Sequence, residues 1–149
     1  MGAYRTVMVG TDGSESSLAA VERAARLAAD CAAELVIACA YLPMRGHELA
    51  AAQDQLKAEA YQVVGSAPAE ATLRVAADRA RAQGAGAIRT VAVEDEPVAA
   101  LARTAREVSA DLLVVGNRGL RSLAGRILGS VPADIARKAP LDVLIVHTT

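Results

Sequence analysis

The feature that most constrains how this chain can fold is an alternation of short apolar runs with longer segments of helical periodicity. The apolar runs are rich in Val, Leu, Ile and Ala, and they span residues 5–10, 34–41, 87–94, 111–116 and 142–147. Such runs, bounded by turn residues, predict buried strands. Strands that alternate with helices form right-handed βαβ units, so the pattern predicts a doubly wound α/β domain with a five-stranded parallel sheet.

Three of the segments that flank these strands have clear helix signals. Residues 14–30 carry a helical apolar stripe, and Ser14 is predicted to cap this helix because its hydroxyl can accept an unpaired N–H of the first turn. Pro97 suits the first turn of a later helix, which needs no N–H there. A short helix is predicted over residues 130–139. The later helix is expected to bury one stripe, formed by Val98, Leu101, Ala105 and Val108.

The connection after the second strand is the least regular part of the chain. Residues 48–64 have a helical pattern, which Gly65 and Pro68 interrupt. A further helix is predicted to begin near Ala69.

The composition favours one soluble globular domain that covers residues 1–149. Hydrophobic residues make up 53% of the chain and charged residues 22%. The formal net charge of −1 provides no strong field to attract nucleic acid or a membrane surface, and three tyrosines offer few platforms for stacking bases. No apolar run suggests a signal peptide or a membrane span, so we expect a cytoplasmic protein in which Cys31 and Cys39 are reduced thiols.

The segment 114–132, VVGNRGLRSLAGRILGSVP, has the residue types of an anion site. Gly116 and Gly119 let backbone N–H groups approach an anion closely. Gly129 and Ser130 stand where the next helix begins, and unpaired N–H groups and the helix dipole favour a phosphate there. Three arginines add local positive charge: Arg118, Arg121 and Arg126. Judged on these residue types alone, a phosphate site and ordinary turn glycines with a helix cap are equal alternatives.

Asp12 directly follows the first strand. In a doubly wound sheet, ligands bind beyond the carboxyl ends of the strands, where the strand order reverses. If the first and fourth strands are neighbours at that point, Asp12 and Gly116 face one crevice. Asp12 also suits a turn, because Asp-Gly-Ser is a common turn sequence, and we favour the site role. His47 and His147 lack metal-ligand spacing, so no metal site is predicted.

The spacing Gly116-x2-Gly119-x9-Gly129-Ser130 resembles the G-2x-G-9x-G-[ST] nucleotide-binding signature of the universal stress protein family. The stretch VMVGTDGSESS resembles that family's first strand and loop, and SVPADIARKAPLDVLIVHT is similar to its closing helix and strand. The resemblance covers essentially the whole chain. It implies a Rossmann-like sheet with strand order 3-2-1-4-5 and a homodimer that binds an adenine nucleotide. Family dimers often pair along the last strand, which here lies between Val143 and Val146.

The resemblance also implies which positions contact the nucleotide. The adenosine side is lined by Gly10, Thr11 and Asp12, and adenine packs on the end of the second strand near Ala40. The ribose side is closed by Val115 and Gly116. The phosphates are surrounded by Arg118, Gly119, Gly129, Ser130 and Val131.

Two positions depart from the family pattern. Many relatives have Pro at the position of Gly10, so the first loop is expected to be slightly looser here. Relatives that hold ATP commonly have Ser or Thr at the position of Pro132, which supplies neither a hydroxyl nor an N–H. Each lost donor to a charged oxygen is worth roughly 1.5–3 kcal/mol. We therefore expect a bias toward cyclic AMP or AMP over ATP.

No catalytic residue is predicted. The segment 114–132 has no acid, histidine or lysine, and Asp12 is expected on the adenosine side, far from the outer phosphate. These residues favour a stress-response or signalling module that binds or sequesters cyclic AMP, AMP or ATP. The alternatives are a slow ATP hydrolase that uses Mg²⁺ brought by the nucleotide, a flavodoxin-like electron carrier, which the scarcity of aromatic residues disfavours, and a purely structural dimer.

Overall fold

The computed structural model describes residues 2–43, 65–117 and 130–148. Its helices and strands alternate as the sequence predicts. In chain order they are β1 (Thr6–Gly10), α1 (Glu15–Cys31), β2 (Glu34–Tyr41), α2 (Ser66–Ala82), β3 (Ile88–Glu94), α3 (Pro97–Glu107), β4 (Leu112–Gly116), α4 (Ser130–Lys138) and β5 (Asp142–Val146).

The five strands form one parallel sheet in the order β3-β2-β1-β4-β5. This confirms the predicted doubly wound sheet and its strand order 3-2-1-4-5. Every residue of β4 is buried, as its lack of polar alternation predicts. The chain order reverses between β1 and β4, which pair through Val9 and Val114, so their carboxyl ends open at the same place.

Helices cover both faces of the sheet. Successive side chains of a strand point to opposite faces, and two separate cores follow from this. Val7 and Val9 of β1 belong to the core beneath α1 and α2, whereas Met8 belongs to the core beneath α3 and α4. The helices that cover the first core present mainly alanines to it, and these small side chains let helix and sheet approach closely.

One predicted helix boundary is wrong. The helix expected to begin near Ala69 begins at Ser66 instead, and Gly65 occupies its N-cap with φ of 90°. Pro68 lies in the first turn of α2 and does not break the helix. The N–H groups of a first turn have no hydrogen-bond partner within the helix, so the N–H that proline lacks costs the helix no internal hydrogen bond. The helical pattern over residues 48–64 and His47 lie outside the described residues.

Within residues 2–43, 65–117 and 130–148, no helix is both long and apolar enough to cross a membrane.

Candidate functional site

A cleft opens at the carboxyl ends of β1 and β4, where the strand order reverses. The space between its walls, counted together with the open solvent at its entrance, is about 500 Å³. The topology therefore brings Asp12 and Gly116 to one crevice, as the strand-end argument requires. The described residues that line it are Gly10, Thr11, Asp12, Ser16, Ser17, Ala38, Ala40, Pro97, Leu101, Val115 and Gly116.

The residues predicted to contact the nucleotide fall into three sets: those that line the cleft, those that begin α4, and those outside the described residues. Six of them line the cleft: Gly10, Thr11, Asp12, Ala40, Val115 and Gly116. Arg118, Gly119 and Gly129 lie outside the described residues, as do Arg121 and Arg126. Ser130 and Val131 are the first two residues of α4, so a helix N-terminus stands where the glycine signature ends.

Five lining residues were not predicted as site residues: Ser16, Ser17, Ala38, Pro97 and Leu101. Ser16 and Ser17 follow Asp12 in the first turn of α1, and their polarity beside a strand end is a signal that sequence reasoning could have used. Pro97 and Leu101 carry no such signal. The sequence predicts a helix start at Pro97 and a buried stripe that contains Leu101, and only the packing of α3 on the sheet makes them part of the cleft.

The loop between β1 and α1 is held by a directed series of hydrogen bonds. The Ser17 hydroxyl donates to the carbonyl oxygen of Ser14 at 3.0 Å. Its single proton is thereby used, so in the 2.8 Å contact between the two hydroxyls Thr11 is the donor to Ser17. The Thr11 oxygen then accepts the N–H of Gly13 at 3.1 Å. Ser14 caps α1 by accepting the N–H of Ser17, as predicted.

Asp12 combines the two roles that the sequence left open. Its Oδ1 accepts the N–H of Ser14 at 2.9 Å, which is a turn interaction. Its Oδ2 is buried and has no hydrogen-bond partner among the described residues. The whole residue is only 2% exposed. Burial raises the pKa of the Asp12 carboxyl above its ordinary value, and the hydrogen bond from Ser14 offsets part of that rise.

A buried carboxylate oxygen without a partner is costly, because it has lost water and gained no donor. At the edge of a cleft this cost falls when a ligand supplies an O–H or N–H. The geometry of Asp12 therefore suits a ligand that carries a hydrogen-bond donor.

The opposite side of the cleft is apolar and closely packed. A Cβ atom at Gly10 would lie 2.9 Å from Cδ2 and 3.0 Å from Cδ1 of Leu101, so the missing side chain of Gly10 is what admits Leu101. Together with Pro97, Ala38 and Val115, Leu101 forms a wall suited to a flat, weakly polar group.

Comparison with known proteins agrees with the fold and with the family resemblance of the sequence. The model of the universal stress protein family matches residues 3–147. Universal stress protein Rv1636 of Mycobacterium tuberculosis strain H37Rv is 55% identical over 150 residues, and the match covers all of both chains.

Solved structures give the same picture. The crystal structure of a universal stress protein in complex with cAMP shares 50% identity, covers 99% of this chain and 100% of that one, and has a TM-score of 0.77. The universal stress protein from Archaeoglobus fulgidus in complex with dAMP is 22% identical, covers 95% of this chain and 97% of that one, and has a TM-score of 0.66. At that identity, the second likeness concerns the fold alone.

Proposed function

This chain belongs to the universal stress protein family, and on that premise we propose that it is a signalling module that binds an adenine nucleotide in the cleft between β1 and β4. The observation that carries the proposal is a cleft that is lined both by apolar side chains and by Asp12, whose buried Oδ2 has no hydrogen-bond partner among the described residues. Adenosine fits such a cleft, because its purine is flat and both its amino group and its ribose hydroxyls are hydrogen-bond donors. The relative solved with cAMP, half identical in sequence, supports the same ligand class.

The proposed orientation of the nucleotide is the one that the family resemblance implies. Adenosine lies on the side of Gly10, Thr11, Asp12 and Ala40, and the ribose lies beside Val115 and Gly116. The phosphates extend toward the start of α4, where Ser130 and Val131 provide a helix N-terminus. Three residues of the signature complete this end in the proposal: Arg118, Gly119 and Gly129. With ATP, Mg²⁺ would accompany the outer phosphates.

We further propose that the protein prefers cyclic AMP or AMP to ATP. Pro132 is the third residue of α4, and proline has no N–H to offer a phosphate at a helix start. A serine at this position would add a hydroxyl and an N–H. Pro132→Ser is therefore the variant that should improve ATP binding without a change at the adenosine side.

Calorimetric titration with cyclic AMP, AMP and ATP tests both statements. We expect cyclic AMP or AMP to bind more tightly than ATP to the wild-type protein, and ATP to gain about tenfold or more in Pro132→Ser, the effect of one restored donor to a charged oxygen. Tighter ATP binding by the wild type would refute the preference, and the absence of binding by all three would refute the nucleotide site. Release of phosphate from ATP by the wild type and Asp12→Ala separates binding from slow hydrolysis.

The same family membership leads us to infer a homodimer through β5. This strand is at one edge of the sheet, and Leu144 exposes 36% of its surface. An apolar edge strand favours pairing with a second chain.

A further inference from the structure

Three parts of the chain meet beside Gly116 at the mouth of the cleft. They are the first turn of α1, the residue after β4 and the segment after β5. The N–H and the hydroxyl of Thr148 both donate to Oδ1 of Asn117, at 2.9 and 3.0 Å. The hydroxyl of Ser16 is hydrogen-bonded to the hydroxyl of Thr148. Thr148 therefore ties α1 to the point where the chain leaves β4.

In each hydrogen bond of this link, the donor can be identified. The Thr148 N–H can only donate, so the atom of Asn117 that receives it is the acceptor oxygen. The single hydroxyl proton of Thr148 goes to the same oxygen. The Ser16 hydroxyl must then donate to Thr148, and the Ser16 oxygen keeps its lone pairs. Because Ser16 lines the cleft, it offers the ligand an acceptor and no donor.

Thr148 also lies beside Gly116, a residue of the cleft wall. A Cβ atom at Gly116 would lie 3.5 Å from Cγ2 and from Oγ1 of Thr148, and 3.6 Å from the carbonyl oxygen of Ser16. Gly116 and Ser16 both line the cleft, so a displacement of Thr148 moves two of its walls. Asn117 is held further by its own N–H, which donates to the carbonyl of Val146 at 2.8 Å.

We propose that Thr148 is a positioning residue of the nucleotide site. Its hydroxyl holds Asn117 and Ser16 at fixed positions, and this sets the width of the cleft at Gly116 and the acceptor character of Ser16. The inference rests on the proposed function, since it concerns nucleotide affinity at the same cleft.

Two substitutions at this position separate the hydroxyl from the methyl group. Thr148→Val keeps the shape and removes the hydroxyl, whereas Thr148→Ser keeps the hydroxyl and removes the methyl. In calorimetric titrations with cyclic AMP, we expect Thr148→Val to raise Kd about three- to tenfold, the effect of losing linked hydrogen bonds. Thr148→Ser should stay within about twofold of the wild type. Thr90→Val, an exposed residue of the edge strand β3, is the matched control and should leave Kd unchanged.

Measurements on the ligand-free proteins keep the test independent of a folding defect. Thermal melts show whether each variant folds, and Thr148→Ala removes the hydroxyl without a branched side chain if valine is not accommodated. Amide hydrogen exchange reports the link itself, because the Thr148 N–H should exchange faster once its hydroxyl is gone, and an unchanged exchange rate overturns the link.

The possible outcomes distinguish this proposal from the proposed function. A wild-type protein that binds nucleotide, with a Thr148→Val variant that binds equally well, overturns the role of Thr148 alone. Equal weakening by Thr148→Ser also overturns it, because packing of the methyl on Gly116 would then be the cause. A wild-type protein that binds none of the three nucleotides refutes the proposed function, and the role of Thr148 with it.

Discussion

Gly10→Ala tests the claim that a missing side chain shapes the cleft. Gly10 ends β1, and its φ lies outside the left-handed region, so alanine can adopt the same backbone. The new Cβ would lie 2.9 and 3.0 Å from the two methyl carbons of Leu101. Carbon atoms in good contact are roughly 3.5–4.0 Å apart. The methyl groups of Leu101 must therefore move by about 0.5–1 Å, and the open side available to them is the cleft.

The size of the effect follows from two opposing contributions to the free energy of unfolding. Overpacking a core contact costs about 1–3 kcal/mol, and the lower half of that range applies because the displaced atoms end a flexible side chain. Alanine also restricts the unfolded chain relative to glycine, which stabilises by about 0.4–1 kcal/mol. The expected net change is a loss of about 0 to 1.6 kcal/mol, with a larger relative loss of nucleotide affinity because Leu101 lines the cleft.

Urea denaturation and calorimetric titration with cyclic AMP measure these two effects separately. Gly86→Ala is the matched control, because a Cβ atom there meets nothing within 4 Å. The variant Leu101→Val removes one carbon from the crowded side chain, so the double variant Gly10→Ala with Leu101→Val should recover affinity that Gly10→Ala loses. Two residues in contact are expected to show such a coupling.

If Gly10→Ala binds cyclic AMP as tightly as Gly86→Ala does, the missing side chain of Gly10 does not shape the cleft. If the losses from Gly10→Ala and Leu101→Val simply add, the two side chains do not compete for one space.

Two further predictions concern charge and assembly. Burial raises the pKa of the Asp12 carboxyl, so the folded protein binds the carboxyl proton more tightly than the unfolded chain does. The stability that this group contributes is fully present below its unfolded pKa and is lost as pH rises through its folded pKa. In urea denaturation without ligand, Asp12→Asn should therefore be more stable than the wild type at neutral pH and lose this advantage in acid, and an equal difference at all pH values would contradict the burial argument. Leu144→Lys places a charge on the exposed edge strand β5 and should convert a dimer to monomers in light scattering, with Val75→Lys on the exposed face of α2 as the control. A dimer that persists in Leu144→Lys would place the interface elsewhere.

The sequence by itself determined the elements and their class, because each depends on nearby residues. Apolar runs marked the five strands, and the hydroxyl of Ser14 and the ring of Pro97 marked helix starts that the structure confirms. The start of α2 at Ser66 differs from the predicted start near Ala69, because Pro68 was interpreted as a helix breaker. Proline is tolerated in a first turn, and the residues around it do not say which turn it occupies.

The candidate site was only partly visible in the sequence. Asp12 and Gly116 end strands, and in a parallel sheet such ends meet at one edge, so their placement followed from the strand order. Oδ2 of Asp12 is buried and has no hydrogen-bond partner in the part of the chain that the structure describes. This depends on which atoms pack around it, and no residue pattern predicts it.

Only the tertiary structure decided what completes the cleft. Leu101 of α3 packs over Gly10 of β1, and Thr148 is hydrogen-bonded to Ser16 although 132 positions separate them in the chain. Periodicity and spacing describe neighbours along the chain, whereas these contacts form only when α3 packs on the sheet and the segment after β5 comes to lie beside α1. The width of the cleft and the direction of its hydrogen bonds therefore belong to the packed fold, because they are set by atoms that the sequence holds far apart.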